Sequence, residues 1–223
     1  MDESKKTFQL MTTTEKDLLR SSVLDIGAGN DPVVSHARIF DQQHGDANLI
    51  TQYVKEDFDC VYSSHCLEHM HHPSSALKEW WQLVKPNGHL FFIVPDEDLY
   101  EQGYFPSRFN GDHKHTFTIA KKQSWSDVSI NVLDLVKTLD DAELVSVKLN
   151  DIGVDRRLVK HGTYQTNWFF RTLARFIGSL EKRGMRIIPD KLRHMILKNC
   201  LVDQTRQQAV AQIEVILRKK SLT

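Results

Sequence analysis

The residues able to do chemistry in this chain are gathered into a few short stretches. Asp25 stands two positions before Gly27 in Val23-Leu24-Asp25-Ile26-Gly27-Ala28-Gly29-Asn30. Asp41 and Asp46 bracket the polar run Gln42-Gln43-His44-Gly45, and Ala47 follows. Ser63-Ser64-His65-Cys66-Leu67-Glu68-His69-Met70-His71-His72 sets several imidazoles around one carboxylate, and Asp112-His113-Lys114-His115 alternates imidazole with charge. Glycines let the backbone turn tightly and bring bare N–H groups close to a ligand. A carboxylate has two acceptor oxygens, which suits a vicinal diol. A histidine near its ordinary pKa of ~6.5 accepts a proton at neutral pH.

Spacing sets several simpler chemistries aside. The H-E-x-x-H pattern of zinc proteases is missing, because Glu68 precedes His69 and no histidine follows at the required distance. His65 and His69 would share a helix face, but His65 falls at a strand end and Pro73 breaks any longer helix, so no metal is expected. Cys60, Cys66 and Cys200 lack C-x-x-C spacing and read as plain buried or semi-buried thiols. A dinucleotide loop, G-x-G-x-x-G, would place a third glycine where this chain has Pro32.

The elements that must position these groups are those of an open parallel sheet, in which ligands sit beyond the C-terminal strand ends. Residues 23–26 read as a short buried strand and residues 37–41 as a second, with too few residues between them for a regular helix of about 10–14 residues. The second crossover, after Asp41, is likewise missing its helix or reduced to a turn. Residues 58–64 form the next strand. A helix follows over about 76–83, capped by Ser74 or Ser75, with Leu77, Trp80, Trp81 and Val84 as its apolar stripe. Pro86-Asn87-Gly88 turns into a strand over 89–95, and residues 96–109 make an aromatic loop or lid. A helix is predicted over 121–139, a sixth strand over 143–149 and a last strand over 212–218. The apolar residues among the first twenty fit a short lead-in helix or an arm.

Leu24-Asp25-Ile26-Gly27-Ala28-Gly29 resembles the first motif of the class I S-adenosylmethionine-dependent methyltransferases. Leu67-Glu68-His69 and Leu83-Val84-Lys85-Pro86-Asn87-Gly88-His89-Leu90 are similar to two later blocks of that superfamily, in the small-molecule branch often called type 11. The resemblance implies an α/β, Rossmann-like fold with a mostly parallel seven-stranded sheet whose last strand is antiparallel, here with shortened early crossovers and a helical insertion before that strand. It implies S-adenosylmethionine as cofactor, held by Asp25, Gly27, Ala28, Gly29 and Ser64. Asp41 would accept from the ribose hydroxyls, with Asp46 and Ala47 near the adenine. His65, His113 and His115 become the candidate bases. The branch is associated with surface polysaccharide assembly, so an oxygen acceptor on a sugar, nucleotide sugar or lipid-linked glycan is the first expectation. N-methylation of an amino sugar or amine is the alternative, and a noncatalytic S-adenosylmethionine-binding scaffold is the other.

The length of 223 residues fits one domain over 1–223, and 40% hydrophobic with 26% charged residues is ordinary for a soluble protein. No stretch reaches the ~20 apolar residues that span a bilayer, and the N-terminus lacks a signal peptide's apolar segment, so a cytoplasmic protein is expected. Net charge is zero but divided: residues 1–155 hold 14 Lys+Arg against 25 Asp+Glu, a balance of −11, and residues 156–200 hold 11 against 2, a balance of +9. The basic helical insertion at 156–200, with Trp168, Phe169, Phe170 and Phe176, suits a peripheral membrane contact, a homodimer partner or the protein's own core. Nucleic acid is not expected, because no recognised nucleic-acid-binding motif is visible.

Overall fold

A computed structural model describes residues 3–160, 168–183, 189–206 and 209–221. In chain order the elements are α1 (Glu3–Leu10), α2 (Thr13–Asp17), β1 (Val23–Ile26), β2 (Arg38–Phe40), β3 (Phe58–Ser64), α3 (Pro73–Gln82), β4 (Val84–Pro95), β5 (Thr116–Thr118), β6 (Ser129–Asn131), α4 (Val132–Val136), β7 (Ala142–Asn150), α5 (Trp168–Lys182), α6 (Asp190–Leu197) and β8 (Gln212–Lys219). The main sheet runs β2-β1-β3-β4-β8-β7. β1 pairs in parallel with β2 and β3, and β3 with β4, while β8 is antiparallel to both β4 and β7. This is the expected Rossmann-like arrangement with an antiparallel last strand.

The sheet is built by alternation. Leu90, Phe92 and Val94 of β4 and Ile213, Val215 and Leu217 of β8 face α3 and α4 in one buried cluster. Phe91 and Ile93, with Cys60 and Tyr62 of β3, point the other way, against Met11 and Leu19 from the α1–α2 region. A period of two that is apolar on both faces marks strands buried on both sides. α3 is amphipathic, burying Ala76, Leu77, Trp80 and Trp81. It starts at Pro73, with His72 rather than Ser74 or Ser75 at the cap, because proline lacks the N–H that a first helical residue leaves unpaired anyway.

Two further expectations are corrected. The sheet has six strands among the described residues where seven were expected. The chain leaves β2 through 3-10 turns at Gln42–His44 and Ala47–Gln52 and passes directly to β3, leaving no room for a strand outside β2. The helix expected over 121–139 is replaced by β6 and the five-residue α4. Its serines find local and tertiary partners instead: Ser126 N–H donates to Ser124 Oγ at 3.0 Å, and the Ser124 and Ser129 hydroxyls donate to the buried Glu97 carboxylate. Such bonds compete with helix formation, and Asn131 then caps α4 by accepting from Asp134 N–H at 3.2 Å.

At the other end of the chain, Thr12 caps α2 reciprocally. Its hydroxyl accepts from Glu15 N–H at 3.2 Å, and Thr12 N–H donates to Glu15 Oε2 at 2.7 Å. Thr12→Ala is expected to lower stability by about 1 kcal/mol. A urea titration checks this, the midpoint falling with the slope unchanged; an unmoved midpoint refutes it.

Candidate active site

The loop after β1 turns on two glycines that do different work. Gly27 has φ +81°, and a side chain there would meet Cys66 Cβ at 2.7 Å and Sγ at 2.8 Å. Its close approach is therefore to Cys66, and its N–H donates to Phe40 O at 2.8 Å. Gly29, at φ +58°, faces open space, with nothing among the described residues within 4 Å of where a side chain would start. Its N–H donates to Asp41 Oδ2 at 2.7 Å, which ties the loop to the end of β2.

Asp25 lies beneath this loop, almost fully buried, and Oδ2 accepts from Val33 N–H at 2.7 Å. That bond holds the abbreviated crossover in place of the missing helix. Burial pushes its carboxyl up to about 7; the Val33 bond offsets part of this, and the charges of Asp41 and Asp31 add to it. Asp41 is partly exposed, and Oδ1 accepts from Gln42 N–H at 2.7 Å, so each oxygen keeps a lone pair for a further donor. Asp46 caps the following turn by accepting from Asn48, whose bonds hold its carboxyl below the usual range. Ala47 is part-buried, and its carbonyl is taken by Trp80 Nε1–H at 2.9 Å. Ser64 ends β3 beside the Tyr62 phenol.

Beyond β3, the turn Leu67–His69 carries Glu68, which is completely buried. His65, at φ +54°, brings Nδ1 to 3.4 Å from Glu68 Oε1 and Nε2 to 3.1 Å from Gln212 Oε1. Burial alone would raise the Glu68 carboxyl, but the imidazoles of His65, His113 and His69 outweigh it and hold it below its ordinary value. His113 is buried between Glu101, at 2.6 Å from Nδ1, and Glu68, at 3.9 Å from Nε2. His69 meets its ring edge-on and Tyr100 packs against it at a tilt of 31°. His115 turns outward instead, with Nε2 3.4 Å from the His71 carbonyl. The structure thus brings His65 and His113 together around Glu68 and leaves His115 apart.

Glu101 is the residue that sequence reasoning missed. It sits in the π-helical turn Glu97–Glu101 of the aromatic loop, capped by Asp96. A lone glutamate in an acidic loop carries no signal of a buried histidine partner, and only the fold supplies it.

The glycine loop, Asp41 and the β3 turn lie together at the C-terminal ends of β1, β2 and β3. Gly29's open face and Asp41's spare acceptors fit a ligand that carries paired hydroxyls. The model of a methyltransferase domain family matches residues 5–125, more than half of the chain. No curated protein matches the sequence significantly. Among solved structures, a protein described as a sarcosine dimethylglycine methyltransferase from Galdieria sulphuraria superposes with a TM-score of 0.52 at 10% identity, covering 97% of this chain and 85% of that one. Coclaurine N-methyltransferase bound to N-methylheliamine and SAH superposes with a TM-score of 0.50 at 12% identity, covering 97% and 70%.

Proposed function

Because the chain belongs to the methyltransferase domain family, we propose that it uses S-adenosylmethionine to methylate a small molecule at an amine nitrogen. One observation carries the cofactor site: Gly29, open above its backbone, is tied to Asp41, whose carboxylate retains acceptors for a ribose diol. Placement in the type 11 branch is part of this reading, supported by the Leu67-Glu68-His69 and Leu83–Leu90 blocks.

S-adenosylmethionine supplies an electrophilic methyl group on a leaving sulfonium, so the protein's task is alignment and proton handling. Asp25 fixes the loop through Val33. Gly27 and Ala28 shape that loop, Asp46 and Ala47 border the adenine end, and Ser64 closes the end of β3. His65 is the proton acceptor we favour, with His113 second; His115, turned toward the His71 carbonyl, is least well placed. The amine reading is supported by charge: residues 1–155 carry −11, which attracts a protonated amine and repels a diphosphate. An amine needs one proton removed from its ammonium before attack, so a single imidazole suffices.

A second reading, an oxygen acceptor on a nucleotide sugar or lipid-linked glycan, is supported by the +9 balance of residues 156–200. The exposed Trp168, Phe169 and Phe176 of α5 support a peripheral membrane contact or a second copy at that face, and a cytoplasmic location fits either acceptor. Among the described residues no helix is long and apolar enough to cross a membrane.

The test is calorimetry with S-adenosylhomocysteine, then its acceptor-dependent release across panels of amines, nucleotide sugars and lipid-linked glycans. Amine turnover is expected, and turnover of sugars alone would reverse the choice of acceptor. Asp41→Ala is expected to weaken S-adenosylhomocysteine at least tenfold, from loss of hydrogen bonds to a charged group worth ~1.5–3 kcal/mol. Unchanged binding would refute the ribose role.

A further inference from the structure

Glu68, His69 and His113 come from two segments far apart in sequence, yet one ligand-capable atom from each lies within 4.8 Å of the others. Glu68 is fully buried, and among the described residues neither of its carboxylate oxygens receives a hydrogen bond. The contacts from His65 at 3.4 Å and His113 at 3.9 Å are too long or misaligned to serve. Buried charge of this kind requires a cation or donor to complete it.

The two rings are held in the same sense. His113 Nδ1 donates to Glu101 Oε1 at 2.6 Å, and His69 Nδ1 lies 2.8 Å from Asp112 Oδ2. Ionised carboxylates only accept, so they fix the proton on Nδ1 of each ring and leave the Nε2 lone pair available. Metal-binding histidines are held in this way, one nitrogen on the ion and the other donating to a carboxylate. Glu101 is itself buried, and its Oε2 receives no hydrogen bond among the described residues.

We propose that Glu68, His69 and His113 form a site for a divalent transition cation, with Glu101 and Asp112 orienting the two imidazoles. Two imidazole nitrogens and one carboxylate oxygen suit Zn2+, Fe2+ or Co2+, with coordination positions left open. Ligand atoms at ~2.1 Å from an ion stand roughly 3.4 Å from one another, so closure needs side-chain movements of about 1 Å. The backbone is already assembled: Lys114 and His115 N–H groups donate to Glu68 O at 2.8 and 3.3 Å, pinning the His113 segment beside the β3 turn. Cys66, which packs on Gly27, lies two residues before Glu68, so the site adjoins the glycine loop. The open positions are available to a donor atom of the methyl acceptor, and with His113 on the ion His65 is the imidazole left to take the proton. That role rests on the proposed function, whereas cation binding does not.

The full chain, stripped with EDTA, is titrated with Co2+ by calorimetry and visible absorption. One equivalent is expected to bind with a d–d band, and Zn2+ to displace it. His69→Gln and His113→Gln should each weaken binding at least tenfold, and Glu101→Gln several-fold. A His71→Gln, His72→Gln double variant should bind as wild type. His69 is a quarter exposed, so His69→Gln carries the test should a buried variant not fold. Absence of the band in wild type, binding that His69→Gln leaves intact, or loss in the His71/His72 variant overturns the site. S-adenosylhomocysteine binding by the stripped protein is read separately. Failure of the metal site thus leaves the methyltransferase reading standing, and failure of cofactor binding leaves the metal reading standing.

Discussion

Gly27→Ala is expected to destabilise the protein by roughly 3–5 kcal/mol, whereas Gly29→Ala, two residues on, should leave it folded and weaken cofactor binding. The added methyl at 27 would lie 2.7 Å from Cys66 Cβ in a conformation, φ +81°, that L-residues rarely adopt. Cys66 cannot easily yield, because it is buried and opens the turn that carries Glu68. The cost combines overpacking with backbone strain, and for a chain of this size corresponds to a fall in melting temperature of about 6–20 °C. At Gly29 only the strain remains, on the order of 1–2 kcal/mol, because nothing lies within 4 Å. Thermal unfolding and calorimetry with S-adenosylhomocysteine, run on both variants, separate the effects. Equal losses of stability at the two positions would contradict the packing described.

Stability is expected to fall as pH rises from about 4 to about 7, and Asp25→Asn to remove the part of that slope above about pH 6, because burial also pushes the Asp96 carboxyl up, to about 6, and Asp96 shares the slope below that. Asp25 has a folded pKa of about 7, against ~3.9 in an unfolded chain. Between those values the folded protein keeps a proton that the unfolded chain has released, so each step up in pH favours unfolding. The stabilisation is complete below about pH 4 and gone above about 7, amounting to roughly 4 kcal/mol across the window. Asparagine stays neutral and still offers an acceptor to Val33 N–H. The variant should match wild type near pH 4 and exceed it by a few kcal/mol near pH 8, as read from urea midpoints. A wild-type midpoint that rises with pH over this window and follows the same course in the variant would show Asp25 to be ionised in the fold.

What could be read from the sequence follows from how local each signal is. β1 and its glycine loop, β3, and the core part of β4 announce themselves through short apolar runs ended by glycine, serine or proline, and the abbreviated crossovers follow from counting residues. The role of Gly27 was only half legible. Its left-handed turn is a local property, but what fills the space beside it is Cys66, a neighbour brought by the pairing of β1 with β3. The 121–139 segment misled because its serines, suited to a turn or a helix surface alike, are claimed by Glu97 from another loop. Near His65, His69, His71 and His72 the spacing gave no reason to expect a metal. The third ligand and both orienting carboxylates come from residues 101–113, a segment that no periodicity links to β3.

The early turns that replace a helix and an outer strand make β2 the margin of the sheet, with Asp41, Asp46 and the half-exposed Tyr53 standing along it and, among the described residues, no further strand beyond them. An adenosine lying there would act as the missing outer wall. The enzyme's thinnest side should therefore gain the most in rigidity when the cofactor arrives, and lose it again each time the spent cofactor leaves.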